Sequence, residues 1–146
     1  MTHIPLHTAR LVDRLLARYC ARICPPRARH PVQLGYRIEA DRVTVCEIRP
    51  FCGVPGTHSL LAIAQFHFNA AHGDWRIHAL DEAGHWRAVG GGPNRSFLAL
   101  LRELDADEAG HFWGRVDGKS LRWCSSQGRC ADCNERYCAI LGLTAT

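Results

Sequence analysis

Lysine is nearly absent from this chain. Lys119 is the single one among 18 basic residues, so the positive charge is carried by arginine. Long apolar runs are missing too. No stretch reaches the roughly 18 consecutive apolar residues of a membrane span, so no membrane partner is expected. Residues 1–20, MTHIPLHTARLVDRLLARYC, lack the unbroken apolar centre of a signal peptide because arginines interrupt them throughout. The expected location is therefore a bacterial-type cytoplasm. Disulfides are rare there, which turns any cluster of cysteines toward metal or redox chemistry. GGGPNR at residues 90–95 lacks the Gly-Lys-Ser/Thr end of a phosphate loop. No serine or cysteine stands in a recognisable nucleophile motif, and there is no internal repeat. No catalytic residue is assigned on this basis.

What is present suffices for one folded domain with an appendage. The chain has 146 residues, 47% of them hydrophobic. Its net charge of +4 is unevenly spread. Residues 1–31 hold six arginines against one aspartate, residues 32–114 seven arginines against ten acids, and residues 115–146 five basic residues against three acids. Two basic ends flank an acidic middle, a pattern that admits an anionic partner without requiring one.

Leu11, Val12, Leu15, Leu16, Tyr19 and Ile23 recur at helical spacing and predict an amphipathic helix over 8–23. Pro25 and Pro26 would stop it. VQLGYRIEADRVTVCEIRP predicts a hairpin, with strands over Val32–Glu39 and Val43–Arg49 and a turn at Ala40–Asp41. Residues 51–59 are expected to be a loop. Three further strands are predicted from there to residue 89, with turns at His72–Asp74 and Glu82–Gly84; the alanines in 59–71 would also suit a helix. GGGPNR is expected to be a flexible link. Ser96 is placed to cap a second helix whose buried stripe is Phe97, Leu100, Leu101 and Leu104. The order helix, five short strands, helix implies an α+β layer, an antiparallel meander with helices on one face. Residues 1–114 are expected to form that domain and 115–146 a separate tail.

Gly35-Tyr36-Arg37, Glu47-Ile48-Arg49-Pro50, Trp75, Trp86 and Phe112-Trp113-Gly114 resemble a family of short bacterial proteins, the domain of unknown function numbered three thousand and twenty-four. The likeness covers about residues 8–114. The family pattern has Lys where Ile63 stands, a Tyr-Trp pair followed by Arg at about His78 to Asp81, and Lys where His85 stands. Their absence implies that any activity those residues carry is lost or changed here. The resemblance implies no particular reaction.

Four of the eight cysteines lie beyond that region, in WCSSQGRCADCNERYC. The spacing Cys124-x5-Cys130-x2-Cys133-x4-Cys138 suits a closed, structural Zn2+ site, because a C-x2-C knuckle presents two thiolates to one ion and two more complete a tetrahedron. Gly128 permits a bend between ligands, and Asn134 tolerates the left-handed conformation common after a knuckle. Arg122, Arg129 and Arg136 would offset the −2 formal charge of four thiolates on zinc. A Cys130–Cys133 disulfide, an iron–sulfur cluster and free thiols are the alternatives. Cys46 is expected in the core. Cys20 and Cys24, one helical turn apart, are better taken as packed thiols than as a chelate, and Cys52 has no assigned role.

Asp41 with Glu47-x-Arg49 resembles the acidic hairpin of metal-dependent nucleases, in which Asp41 and Glu47 would hold Mg2+. A lysine normally stands at the position of Arg49, and arginine stays protonated. Of the nine histidines, His67, His72, His78 and His85 fall in or beside the predicted strands, where a pair facing one way could bind metal; the expectation is that they are satisfied or at the surface. Arg10, Arg14, Arg18 and Arg22 step by four along the first helix and form one inclined ridge away from the Leu11/Leu15/Tyr19 stripe. Arg27, Arg29 and His30 extend it. A ridge of this kind is either a solvated face or a surface that tracks phosphates. The expectation is a non-enzymatic zinc-containing binding module with nucleic acid as partner. A nuclease using Asp41 and Glu47, and a protein adaptor docking through the zinc tail, are the alternatives.

Overall fold

The structure, a computed structural model, describes residues 3–23, 33–48 and 61–113, together with the backbone of 49–50, 58–60, 115–116 and 119–120. The four-cysteine tail, Cys24, Cys52, the two prolines and the Arg27–His30 extension lie outside the described residues.

The element order is α1 (Leu6–Ile23), β1 (Gln33–Glu39), β2 (Arg42–Pro50), β3 (His58–Asn69), β4 (Asp74–Leu80), β5 (Trp86–Ala88), α2 (Phe97–Ala106), and a two-residue pair β6 (Arg115–Val116) and β7 (Lys119–Ser120). The first five strands form an antiparallel meander in the order β1-β2-β3-β4-β5. This is the expected α+β arrangement. No described helix is long and apolar enough to cross a membrane.

α1 starts directly after Pro5, whose carbonyl accepts the first helical bond from Ala9 N–H at 2.8 Å. Its buried stripe is Val12, Leu16, Tyr19, Cys20 and Ile23. Leu11, expected inside, is 50% exposed. At 100° per residue Leu11 sits well off the Val12–Leu16–Ile23 line, and a sheet covers only a limited arc of a helix.

The β1–β2 turn is the two residues Ala40–Asp41, with Ala40 left-handed at φ 49°. Two neighbours hold it there: Ile4 N–H donates to Ala40 O at 3.0 Å and Phe68 N–H to Asp41 O at 2.8 Å. Of residues 59–71, ambiguous by composition, 59–69 lie in the central strand β3, which is paired on both sides and begins at His58, inside the expected loop; 70 and 71 belong to the following turn. The register shifts by one between Val45 and Cys46, where Ile63 is the extra residue. Such a bulge puts Ile63 and Ala64 together opposite Val45, and both are buried.

Both helices pack on one face of the sheet, against Val43, Val45, Phe66, Phe68, Trp75 and Ile77. Phe97 joins the aromatic centre, with ring centroids 4.7 Å from Phe66 and 5.0 Å from Trp75; Phe68 lies 4.9 Å from Trp75. These tilted and edge contacts suit the ring quadrupoles. α2 is capped as expected, Ser96 Oγ accepting from Ala99 N–H at 3.2 Å, and its predicted stripe is fully buried.

The glycine link is tied down rather than loose. Asn94 exchanges two backbone bonds of 2.8 Å with Trp75, and Gly90 at φ 82° passes so near α2 that an added Cβ would lie 2.6 Å from Glu103 Oε2. After α2 the chain closes on Asp107. This residue is left-handed at φ 42° and buried, and its carboxylate accepts from Phe112 N–H at 3.1 Å and Trp113 N–H at 2.9 Å. Trp113 in turn donates its ring N–H to Leu104 O at 2.9 Å.

Candidate functional site

The arginine ridge is the first candidate. Arg10, Arg14, Arg18 and Arg22 are all exposed on the side of α1 away from the sheet. The structure does not leave them equivalent. Arg22 bridges to Asp105 of α2 at 3.4 Å and lies 5.4 Å from the Tyr19 ring centre, and Tyr19 OH donates to the same aspartate at 3.3 Å. Arg22 therefore helps to clasp the C-terminal ends of the two helices. That leaves Arg10, Arg14 and Arg18 as the ridge proper.

Asp13 is the single acid of α1. It could neutralise the ridge, but it is engaged on the flank: Tyr36 OH donates to its carboxylate and, at 3.1 Å, to its backbone carbonyl. The Tyr36 hydroxyl is pushed up to about 12 by burial, by its hydrogen bond to Asp13 and by that residue's charge. The phenol thus keeps its proton, and the bond persists, throughout the physiological range.

The second candidate is the sheet face turned away from the helices. Cross-strand register places Arg42, His67 and Arg76 in one row and Thr44, Gln65, His78 and Ala88 in the next. The two imidazoles stack, with centroids 3.6 Å apart and planes 17° off parallel. His67 Nε2–H donates to Gln65 Oε1 at 2.6 Å, and Gln65 Nε2–H to Thr44 Oγ1 at 3.0 Å. His78 Nδ1–H donates to Arg76 O at 3.3 Å. Burial, with the charges of His78 and Arg42, lowers His67 from 6.5 to about 4. Burial also lowers His78, against the pull of its bond to Arg76 O. Both rings are neutral near pH 7. Two cations of this face are already matched: Arg37 lies 3.2 Å from Glu39, and Arg42 3.8 Å from Asp41. At the sheet edge Arg87 is held 2.8 Å from Asp81.

The sequence places His67 and His78 in the meander without pairing them. The outward parity of Gln65, His67, Arg76 and His78 is visible in the sequence. Which residues lie opposite one another depends on the turn at 70–73, which the sequence does not fix to the residue. Cys46, expected in the core, lies on this same outward face, half-buried, its thiol pushed up by burial. Cys20 is buried among the core residues of α1.

Asp41 and Glu47 are not brought together. Asp41 is in the turn and Glu47, six residues along β2, is buried on the helix-bearing face. At the rise of a strand they are about 20 Å apart, far beyond the reach of one shared cation. No group of three or more His, Cys, Asp or Glu residues converges on a metal-sized site among the described residues.

A family model described as Domain of unknown function (DUF3024) matches residues 4–114. No curated protein and no solved structure matches the chain.

Proposed function

The chain belongs to the DUF3024 family, and from that premise we propose a non-enzymatic binding module that holds nucleic acid by its phosphates along the outer side of α1. The observation that carries the proposal is the engagement of Asp13 by Tyr36, which occupies the one acid of the helix in a bond to β1 rather than in an ion pair with Arg10, Arg14 or Arg18. Three guanidiniums then stand in a line at steps of about 6 Å along the helix axis. Their mutual repulsion costs the helix a few tenths of a kcal/mol per pair. An anionic strand would relieve it and release its own condensed counterions. The sheet face supports this role less well, since Arg37 and Arg42 already have carboxylate partners.

Binding of this kind is electrostatic and largely blind to sequence. Each phosphate contact contributes about 0.7 to 0.9 to the slope of log K against log salt. Reversing Arg14→Glu and Arg18→Glu is expected to flatten the slope by about two contacts and to weaken binding to unrelated sequences alike. Anisotropy of fluorescent single- and double-stranded DNA and RNA at several salt concentrations reads this out. No binding at low salt, or binding indifferent to the double reversal, refutes the role and leaves the ridge a solvated face. The proposal includes a structural Zn2+ in the tail, held by Cys124, Cys130, Cys133 and Cys138 and supported by their spacing.

A further inference from the structure

The N-terminal ends of α1 and α2 open onto a common groove of about 550 Å3 at the end of the β3–β4 hairpin. Its floor is apolar, formed by Val12, Phe68, Trp75 and Phe97. Leu11 and Leu98 stand on its walls, 50% and 38% exposed. They are two of the five exposed large hydrophobic residues among those described, and they flank the same space. The polar groups at the groove are His7, Thr8, Arg95 and Ser96, and no lining residue is acidic.

The helix ends add to the same sign. Neither helix has an acid in its first turn. α1 follows Pro5, which has no side-chain oxygen to cap the free N–H groups of its first turn. Arg95 therefore meets the positive ends of two helix dipoles over an apolar floor. The volume lies within the range of small-molecule sites, which combine mostly apolar walls with a few placed polar groups.

We propose that this groove binds a small amphiphilic carboxylate, its apolar chain on the Phe68–Trp75–Phe97 floor and its carboxylate against Arg95. The charge of the lining selects the head group: an anion is drawn to Arg95, whereas a cation would meet no counter-charge there. The exposed leucines select the body, because a chain lying between them removes apolar surface from water on both walls. The site is separate from the ridge, whose Arg10, Arg14 and Arg18 do not line it.

The test is a titration of the full 15N-labelled chain with decanoate below its micelle concentration, followed by amide shifts, with decanol as the uncharged control. Decanoate is expected to give saturable shifts centred on Leu11, Arg95 and Leu98. Decanol is expected to bind about tenfold more weakly, the scale of one charge-assisted contact. Arg95→Gln should reduce decanoate to the decanol level without changing decanol. Leu98→Trp should fill the groove and exclude both, while unchanged amide positions in β1 and β2 report an intact fold. The Arg14→Glu/Arg18→Glu variant should bind decanoate as the native chain does, so failure of the nucleic-acid proposal leaves this one standing. The absence of saturable decanoate shifts at the groove overturns it. So does equal affinity for decanol, or decanoate binding indifferent to Arg95→Gln.

Discussion

Single residues decide which charges this protein presents. Tyr36 engages Asp13 beside the ridge, Asp105 pairs with Arg22 at its end, and Asp81 pairs with Arg87 at the sheet edge. The imidazole of His67 is subtler, because folding takes a proton from it. Its ordinary value of 6.5 falls to about 4 in the folded protein. The unfolded chain thus binds more protons than the native one between those values, so this group makes stability rise with pH across that window and fall as pH drops through it. Above pH 6.5 the ring is neutral in both states and the effect is gone. With part of the ring exposed, the size is about 1 kcal/mol rather than the full shift. Urea midpoints measured from pH 7 to pH 4 should therefore fall less steeply for His67→Gln than for the native chain. The His67 ring resonances should titrate near pH 4. A titration near 6.5 would show that the stacked pair is open to water and would remove the basis for the difference.

At the level of elements, the ends of α2 carry more information than its middle. The N-terminal end is closed by Ser96 and the C-terminal end by Asp107, whose carboxylate takes two backbone N–H groups from the segment that returns over the helix. Asp107→Ala strands the N–H of buried Trp113 and that of Phe112, so a loss of about 2–4 kcal/mol is expected. Chemical denaturation should show it as a lowered midpoint with an unchanged slope; a change under about 0.5 kcal/mol would mean that water replaces the carboxylate. Much of this element was legible in advance, because the Phe97–Leu104 stripe and the Ser96 cap are local signals. The β1–β2 hairpin was legible for the same reason, with the turn pair Ala40–Asp41 between two alternating runs. The face assignments were not. Thr44, Cys46 and Ile48 look as suited to a core as Val43 and Val45 do, and Glu47 argues against the side that is in fact buried. Alternation shows that a strand has two faces but not which one receives the helices. Leu11 shows the same kind of ambiguity, one step around a helix. The His67–His78 stack needed the hairpin register, and the groove needed two helix starts brought together from residues 5–15 and 95–98, which no local pattern encodes.

On the scale of the whole molecule, the sequence changes in charge and in cysteine content near residue 114. The described core draws its residues from Ile4 to Trp113, close to the bounds of the family match. Residues 115–146 carry four cysteines but no apolar stripe comparable to those of α1 and α2. A segment of that length seldom buries enough surface to fold without a cross-link or a metal. Zinc on four thiolates would supply the missing free energy, and Arg122, Arg129 and Arg136 would balance its charge. If the two parts are energetically separate, metal loss should affect only one of them. Elemental analysis of the purified protein should give about one zinc per chain. Cys133→Ser should release it and expose sites beyond Gly118 to protease, while the urea transition of the core, followed by the amide resonances of β2 and β3, stays where it was. Iron in place of zinc would reassign the tail to a cluster. A metal-free protein with a protease-resistant tail would rule out metal as its organiser. A core transition that moves with Cys133→Ser would show that the tail belongs to the same cooperative unit as Trp75 and its neighbours, and that the division at residue 114 is one of sequence rather than of folding.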